Sequence, residues 1–457
     1  MKITVCVKYC QGEMNPFDAS ALEYALRIPN AEVSVLTMSP PSCKEPLTQL
    51  TRLPIKEIVM LCDSAFAGSD TLATSYILAE YLKNNMPDLI ICGRQSIDGD
   101  TAQVGPCLAT MLGCGLVTNV MGYISETSCN TRDGEREYSF PSLLTLERIH
   151  TLRFFSIRSK VREDALRVIG ADELGVDRSR CGLGGSPTVV IKCFENTAGR
   201  RRVKWIDKSD FLPLLERLKS EERNKSEDVS ADGEREKLPS VTVIGADMEK
   251  VGLTIAHSVK VVEDTDTAVI AEKVRGDEVV LWKADSWGRN HAPIVQAILN
   301  TGLCADCTQL EIEGGEFYMY RPARSGSISA KIKCTTTPKM ATVRVESESS
   351  SLIFSIGKGA VEHLDSARAF AERIGAELAA SRAVVDMGKA PYEEQVGLTG
   401  KNVSPKIYIA AGISGAVHHT CAIEGAQTII AINPDKDARI FDYADYGVLA
   451  NIEDIIG

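Results

Sequence analysis

The chain has 457 residues, 44% of them apolar and 25% charged, with a formal net charge of −11. That length exceeds one ordinary core and predicts two to four domains of a globular protein, while the acidic balance excludes nonspecific nucleic-acid binding, which needs a basic surface. No apolar run approaches the roughly 20 residues that span a bilayer, and fourteen scattered cysteines fit a reduced, cytoplasmic setting.

From MKITVCVKYC, which reads as a first strand rather than a signal peptide, residues 1–115 alternate apolar runs with amphipathic segments. ITVCVKY, VSVLTM, EIVMLC and DLIICG are predicted as buried strands, and ALEYALRI, TLATSYILAEYLKNN and AQVGPCLATMLG as the helices between them. This alternation makes a parallel sheet covered on both faces, with ligands beyond the carboxyl ends of its strands. The loops that matter are then Gln11 to Asp18, Ser39 to Pro41, Asp63 to Asp70 and Gly93 to Gly105. In the last, GRQSIDGDTAQVGP, Asp100 and Thr101 are placed to cap the next helix, whose first N–H groups suit a phosphate. Asp98 and Asp100 suit a ribose hydroxyl or the turn itself.

Between residues 116 and 220, TRDGERE reads as a hairpin turn, FPSLLTLER and PTVVIKCFE as strands, and FLPLLERLKSEE as an amphipathic helix. HTLRFFSIRSKVRED sets Phe154, Phe155 and Ile157 among basic residues, either as an inward-packing loop or as an exposed anchor for a partner protein. The stretch 221–240 is charged and free of aromatics, a solvated linker. A second α/β pattern follows in 241–345, with VTVIGA and VVLWKA as strands, VQAILNTGLCAD as a helix running into a turn, and TQLEIEGGEFYMYRPA as a hairpin tipped by Gly314 and Gly315. Cys304 and Cys307 form a single CxxC without the second pair that a structural zinc site uses, so no metal is expected. Glu346 to Ser351 is a polar break predicted to act as a hinge near Ser347.

Residues 352–457 form the last domain, in which each apolar run (LIFSIG, KIYIAAG, TIIAIN) ends in a loop of Gly, Ser or one positive group. A helix is predicted to begin after Ile413 to Ala416, its free N–H groups facing a pyrophosphate. No serine elbow, P-loop lysine motif or HExxH is present, and no catalytic residue is assigned. Arg382 has Asp386 four residues on as an ion-pair partner.

SRAVVD, QVGLTGK, SPKIYIAAGISGA, IAINPD and FDYADYGV together resemble the flavin domain of the alpha subunit of electron transfer flavoprotein. VCVK, NPFD, ALEYALR, FAGSDTLATSY, GRQSIDGDTAQVGP and RCGLGGSPT resemble its beta subunit. The order beta then alpha implies a fusion of two normally separate subunits. The implied fold is α/β: two adenine-nucleotide-alpha-hydrolase-like parallel-sheet domains, 1–220 and a shortened 241–345, and a C-terminal doubly wound flavin-binding domain.

By this resemblance FAD would be bound by Lys358, Ser381, Arg382, the loop Gln395, Val396, Gly397, Leu398 and Thr399, the loop Ser414, Gly415, Ala416, Val417, His418 and His419, and Asn433 and Asn451. Thr399 would donate to the flavin N5, His419 would face the pyrimidine carbonyl, and Arg382 would lie over the ring. A second nucleotide, AMP or a second FAD, would lie among Cys6, Asn15, Pro16, Phe17, Asp18 and Ser39. The loop Arg94, Ser96, Ile97, Asp98, Gly99, Asp100, Thr101, Ala102, Gln103, Val104 and Gly105 would close over it. DGDTAQVGP resembles the version of two-FAD members that oxidise NADH and bifurcate its electrons. One route would run to an acyl-CoA-dehydrogenase-like or related flavin dehydrogenase, the other to ferredoxin or flavodoxin. A nucleotide-binding scaffold without redox activity is the alternative.

Overall fold

The computed structural model describes residues 1–10, 12–195, 200–220, 236–323, 328–345, 350–397 and 400–456. The chain divides into two compact units. One comprises Met1–Cys193, Glu236–Arg324 and Ala330–Arg344, the other Phe194–Arg235, Ser325–Ser329 and Val345–Gly457. The hinge expected near Ser347 falls on residues 346–349, and the linker 221–240 largely on residues 221–235, both outside the described residues.

In the first unit a nine-stranded sheet runs in the order Leu166–Ile169, Ile58–Leu61, Glu32–Met38, Lys2–Cys6, Leu89–Gly93, Ser142–Leu146, Gly115–Ser125, Ser128–Thr131, Gly134–Glu137. Seven strands are parallel and the last two add an antiparallel hairpin. Alternation along each strand sends Ile3, Val5 and Ile91 under helix Pro16–Arg27, and Ile90 and Cys92 under helices Thr71–Asn84 and Val104–Leu112. Both faces are therefore apolar, which is why these strands read as continuous hydrophobic runs.

The same unit holds a five-stranded parallel sheet in the order Ala256–Val262, Leu238–Ile244, Val279–Lys283, Lys339–Val343, Leu303–Cys307. A hairpin pairs Gln309–Glu313 with Glu316–Ala323 around Gly314 and Gly315, both at positive φ, as the sequence predicts. Three expectations change. Strand Leu238–Ile244 starts inside the stretch assigned to the linker, Ala256–Val262 is an additional strand, and Leu303–Cys307 is a strand rather than a turn. Polar Asp306 disguises that last strand. It sits at φ 55 in a bulge, buried because its carboxylate accepts from Arg289 at 2.8 Å.

The second unit is one seven-stranded parallel sheet, ordered Lys204–Ile206, Tyr446–Val448, Thr428–Ile432, Ile407–Ala411, Leu352–Ile356, Glu377–Ser381, Gln395–Val396. Residues 200–220, expected with the first domain, are built into this unit. Strand Lys204–Ile206 forms its edge, with Trp205 against Phe441 at 4.6 Å between ring centroids. Helix Phe211–Ser220 buries Phe211, Leu214, Leu215 and Leu218 in the core that contains Phe354 and Phe370. Arg201 fastens the arm, donating to the Ala426 and Gln427 carbonyls and pairing with Asp445.

Candidate nucleotide-binding sites

In each main sheet the chain order reverses direction at one point, and post-strand loops there diverge to leave a crevice. In the first unit that point lies between Lys2–Cys6 and Leu89–Gly93. A cavity of about 330 Å³ opens there, and its lining includes Cys6, Asn15, Asp18, Arg94, Ser96, Gly99, Thr101, Ala102, Gln103 and Val104 from the expected set. Pro16, Phe17, Ser39, Ile97, Asp98, Asp100 and Gly105 do not line it. Ser39 bonds instead to Thr37 at 2.7 Å, and Ile97 is exposed.

The acidic residues of the loop turn out to be occupied by protein. Asp98 takes the Lys8 ammonium at 2.7 Å; burial works against its charge, but that hydrogen bond holds the carboxyl at about 2. Asp100 sits at φ 51 and accepts from Gln95 at 3.0 Å, so it does not cap the next helix, which starts at Val104 after Gln103. Ala102, at φ 55, completes the turn. Arg321, on the hairpin strand Glu316–Ala323, donates to the Asp100 carbonyl, and Gln103 donates to the Leu303 carbonyl of the five-stranded sheet, both at 3.2 Å, so these two elements brace the loop. Thr71 donates to the same Gln103.

The floor is buried and polar. Asp18 accepts the N–H groups of Lys8 at 2.8 Å and Gly93 at 3.0 Å; burial outweighs these donors and pushes its carboxyl up to about 7. Burial also pushes the Cys6 thiol up to about 12, with Asp18 adding to it, so the pocket wall carries a protonated thiol. Lining residues not in the expected set include Lys8, Ser69, Asp70, Thr71 and Gln95. The signal for Ser69 and Asp70 was in the sequence: both lie in the post-strand loop Asp63 to Asp70, and Asp70 N-caps helix Thr71–Asn84, accepting from Leu72 and Ala73. Asn15 leaves a buried Oδ1 without a hydrogen-bond partner, which a ligand amine or hydroxyl would satisfy, so the residues fit a nucleotide.

In the second unit the switch point lies between Leu352–Ile356 and Ile407–Ala411. The two loops that leave it touch through glycines: Gly359 donates to the Gly412 carbonyl at 3.1 Å, and a Cβ on Gly357 would stand 2.1 Å from that oxygen. Around this edge the strands bring Lys358, Ser381, Arg382, Gln395, Val396, Gly397, Ser414 to His419, Asn433 and Asn451 to their carboxyl ends. Two cations and two hydroxyls beside glycine backbone are a donor set suited to a phosphate-bearing ligand. Leu398 and Thr399 lie outside the described residues.

Several of these residues also make contacts within the protein. The helix after Ala416 is a single turn, Val417–Thr420, and lacks the aligned peptides of a long helix dipole. Arg382 forms its ion pair with Asp386 at 3.2 Å. Asn433 is buried, donating to the Ile413 carbonyl at 3.0 Å and accepting from Asp435 at 2.9 Å, so it shapes the crevice wall. His419 is also buried, bonded to Tyr408 and Val396.

A further feature lies away from both crevices. Phe154 and Ile157 are 97% and 98% exposed, whereas Phe155 packs under the Arg52 guanidinium at 5.2 Å. The segment is anchored at its root by Arg153, whose fork meets Glu23 at 2.9 and 3.0 Å, and by Arg52 donating to the Ser156 carbonyl. Burial opposes the charge on Glu23, but Arg153 and Arg27 hold its carboxyl down at about 2. Two apolar tips on an anchored base are the geometry of an interaction hot spot.

Two switch-point crevices, one with a nucleotide-sized cavity and one lined by glycine and cations, define an α/β nucleotide-binding protein. The Electron transfer flavoprotein domain model matches residues 3–136 and 257–369, and the Electron transfer flavoprotein FAD-binding domain model matches residues 347–424. The chain belongs to the electron transfer flavoprotein family, joining a beta-like and an alpha-like half in that order. It is 37% identical to the electron transfer flavoprotein subunit alpha of Thermoanaerobacterium thermosaccharolyticum, over 39% of this chain and 68% of that one. It is 38% identical to the subunit beta of Clostridium acetobutylicum, over 39% and 74%, and 37% identical to Protein FixA of Bradyrhizobium diazoefficiens, over 43% and 76%. Among the described residues no helix is long and apolar enough to cross a membrane.

Proposed function

We propose that the chain is an NADH-linked electron transfer flavoprotein with one FAD in the second unit and a second FAD whose adenosine half occupies the cavity of the first. The observation that carries this reading is that cavity, with the unpartnered Asn15 Oδ1 and the DGDTAQVGP loop at its mouth. FAD, when bound, supplies reversible one- and two-electron transfer. Lys358 and Arg382 would contribute positive charge, which favours the anionic reduced form, and Ser381 and Ser414 hydroxyl donors. The crevice glycines would let backbone approach the ligand. Thr399 is assigned to the flavin N5 by resemblance alone.

A volume of about 330 Å³ also supports AMP as the sole occupant of the first site, because small-molecule pockets span roughly 300–1,000 Å³ and a whole dinucleotide needs more than the lower end. Flavin and AMP content after gentle purification decides between them. Two FAD per chain, with the absorbance bleached by NADH, is expected; one FAD and one AMP, with no bleaching, would make the chain a simple carrier.

Phe154 and Ile157 are proposed to dock a flavin dehydrogenase. Replacing both with Ser is expected to slow electron exchange with that partner about tenfold or more, as for a lost hot spot, at unchanged flavin content. An unchanged rate would remove this segment from the interface. Ferredoxin or flavodoxin is the proposed second acceptor.

A further inference from the structure

We propose that Cys6 and Cys92 form a two-coordinate site for a soft monovalent cation of the Cu(I) and Ag(I) class, on the floor of the first unit's cavity, and that this ion and the nucleotide exclude one another. The exclusion rests on the nucleotide reading of that cavity; the metal site does not.

The two cysteines are neighbours by register. Cys6 ends strand Lys2–Cys6, and Cys92 is its direct partner on the parallel strand Leu89–Gly93. Residues paired in this way point to the same face of a sheet. Both thiols belong to the core under helices Thr71–Asn84 and Val104–Leu112, whereas Val5 and Ile91 beside them face helix Pro16–Arg27. Both also line the cavity, at 7% and 6% exposure, so a small ion can reach them. Each is a free cysteine. Cys92 Sγ stands 3.9 Å from the Leu144 carbonyl, a weak S–H contact that a metal bond replaces at little cost.

Spacing decides what two such thiols can do. Partners on adjacent strands stand about 4.8 Å apart, whereas an unstrained disulfide needs Cβ atoms about 3.8 Å apart. Two metal–thiolate bonds of about 2.3 Å set in line span about 4.6 Å, which fits the strands as they lie. Thiolates also select soft ions such as Cu(I). The carboxylates a hard cation would need are engaged: Asp18 by the N–H groups of Lys8 and Gly93, Asp98 by the Lys8 ammonium, and Asp70 by Leu72, Ala73 and Thr188. Among the described residues no group of three or more His, Cys, Asp or Glu side chains is placed to hold a metal ion, which leaves linear two-sulfur coordination. Binding breaks two S–H bonds, sends both protons to solvent and forms two sulfur–metal bonds. No electron moves, so no oxidant is required. Burial holds both thiols protonated at rest, Cys6 at about 12, and coordination removes those protons outright.

The test titrates the full chain with Ag(I), carrying Cys193→Ser throughout because Cys193 is an exposed thiol. Expected is one tightly held silver ion per chain with a first shell of two sulfurs by X-ray absorption. Cys6→Ser and Cys92→Ser should each lose that ion. Cys107→Ala, fully buried and not on the cavity wall, should keep it. Saturating AMP should displace it. Retention of the ion by either single variant overturns the site. So does a first shell containing nitrogen or oxygen, a result read with both thiols in place and therefore independent of how the variants fold. Silver held at full occupancy on a chain that has also bound AMP overturns the exclusion. A chain that takes up silver through two sulfurs but binds no AMP overturns the nucleotide reading and leaves the metal site standing.

Discussion

Replacing Glu147 by Gln is expected to lower the stability of the first unit by about 3–5 kcal/mol, the range for removing one partner of a buried ion pair. Glu147 Oε1 lies 3.1 Å from Arg94 Nε and 3.0 Å from Arg132 Nε, and the three side chains are 2%, 9% and 7% exposed. One carboxylate thus separates two buried guanidiniums, one from the pocket wall and one from the hairpin Ser128–Thr131 and Gly134–Glu137. Glutamine keeps the shape but not the charge, so the two cations repel across a region that water does not screen. Arg94 also donates to the Gln95 side chain at 2.6 Å, and Gln95 in turn holds Asp100, so the disturbance propagates into the nucleotide loop. At about 2–3 °C per kcal/mol for a domain of this size, the first melting transition should fall by roughly 6–15 °C. Less of the second nucleotide should survive purification. Adding Arg132→Gln should recover part of the loss, since one of the repelling charges is gone. A shift under 2 °C, or strictly additive losses, would show that Glu147 is not the counter-ion of both.

The contrast between what could and could not be read from sequence is clear in this network. Strands such as LIICG and YIAA announce themselves because both sheet faces are covered, so every residue is apolar. Their order along the chain then fixes which loops share the carboxyl edge, and the expected loops do gather there. What local pattern cannot encode is the distant partner. Asp98 looked available for a ribose, but Lys8 occupies it from the first strand's loop. The partners of His419 are likewise distant in sequence, the Tyr408 hydroxyl and the Val396 carbonyl. Helix Phe211–Ser220 shows its apolar stripe plainly, yet a stripe does not say which core it completes, and it completes the one around Phe354. LCADC fails as a strand signal because the polar Asp306 is supported by Arg289 and Arg344, which come from other elements.

The strictest test of the second crevice is Gly415→Ala, set against Gly375→Ala. Both glycines have positive φ, 82° and 67°, so an alanine at either pays about 1–2 kcal/mol for the left-handed conformation. Around Gly375, which follows helix Leu364–Ile374, nothing lies within 4 Å of the added methyl, and the cost should end there. At Gly415 the methyl would stand 2.0 Å from the Ile440 nitrogen and 2.4 Å from the Arg439 carbonyl carbon, both backbone atoms that no rotamer change can move. Either the 439–440 segment shifts, breaking the Ile440 N–H bond to the Ser414 carbonyl, or residues 412–416 withdraw from the crevice. Overpacking of this kind costs roughly 1–3 kcal/mol beyond the strain. Because Ser414 to Ala416 form the rim assigned to the FAD, the larger effect should fall on the cofactor. Gly375→Ala should purify with full flavin and melt only a few degrees early, whereas Gly415→Ala should retain less than a tenth of it. Equal flavin content in the two variants would mean that the Gly412 to Ala416 loop is not the wall of the FAD site.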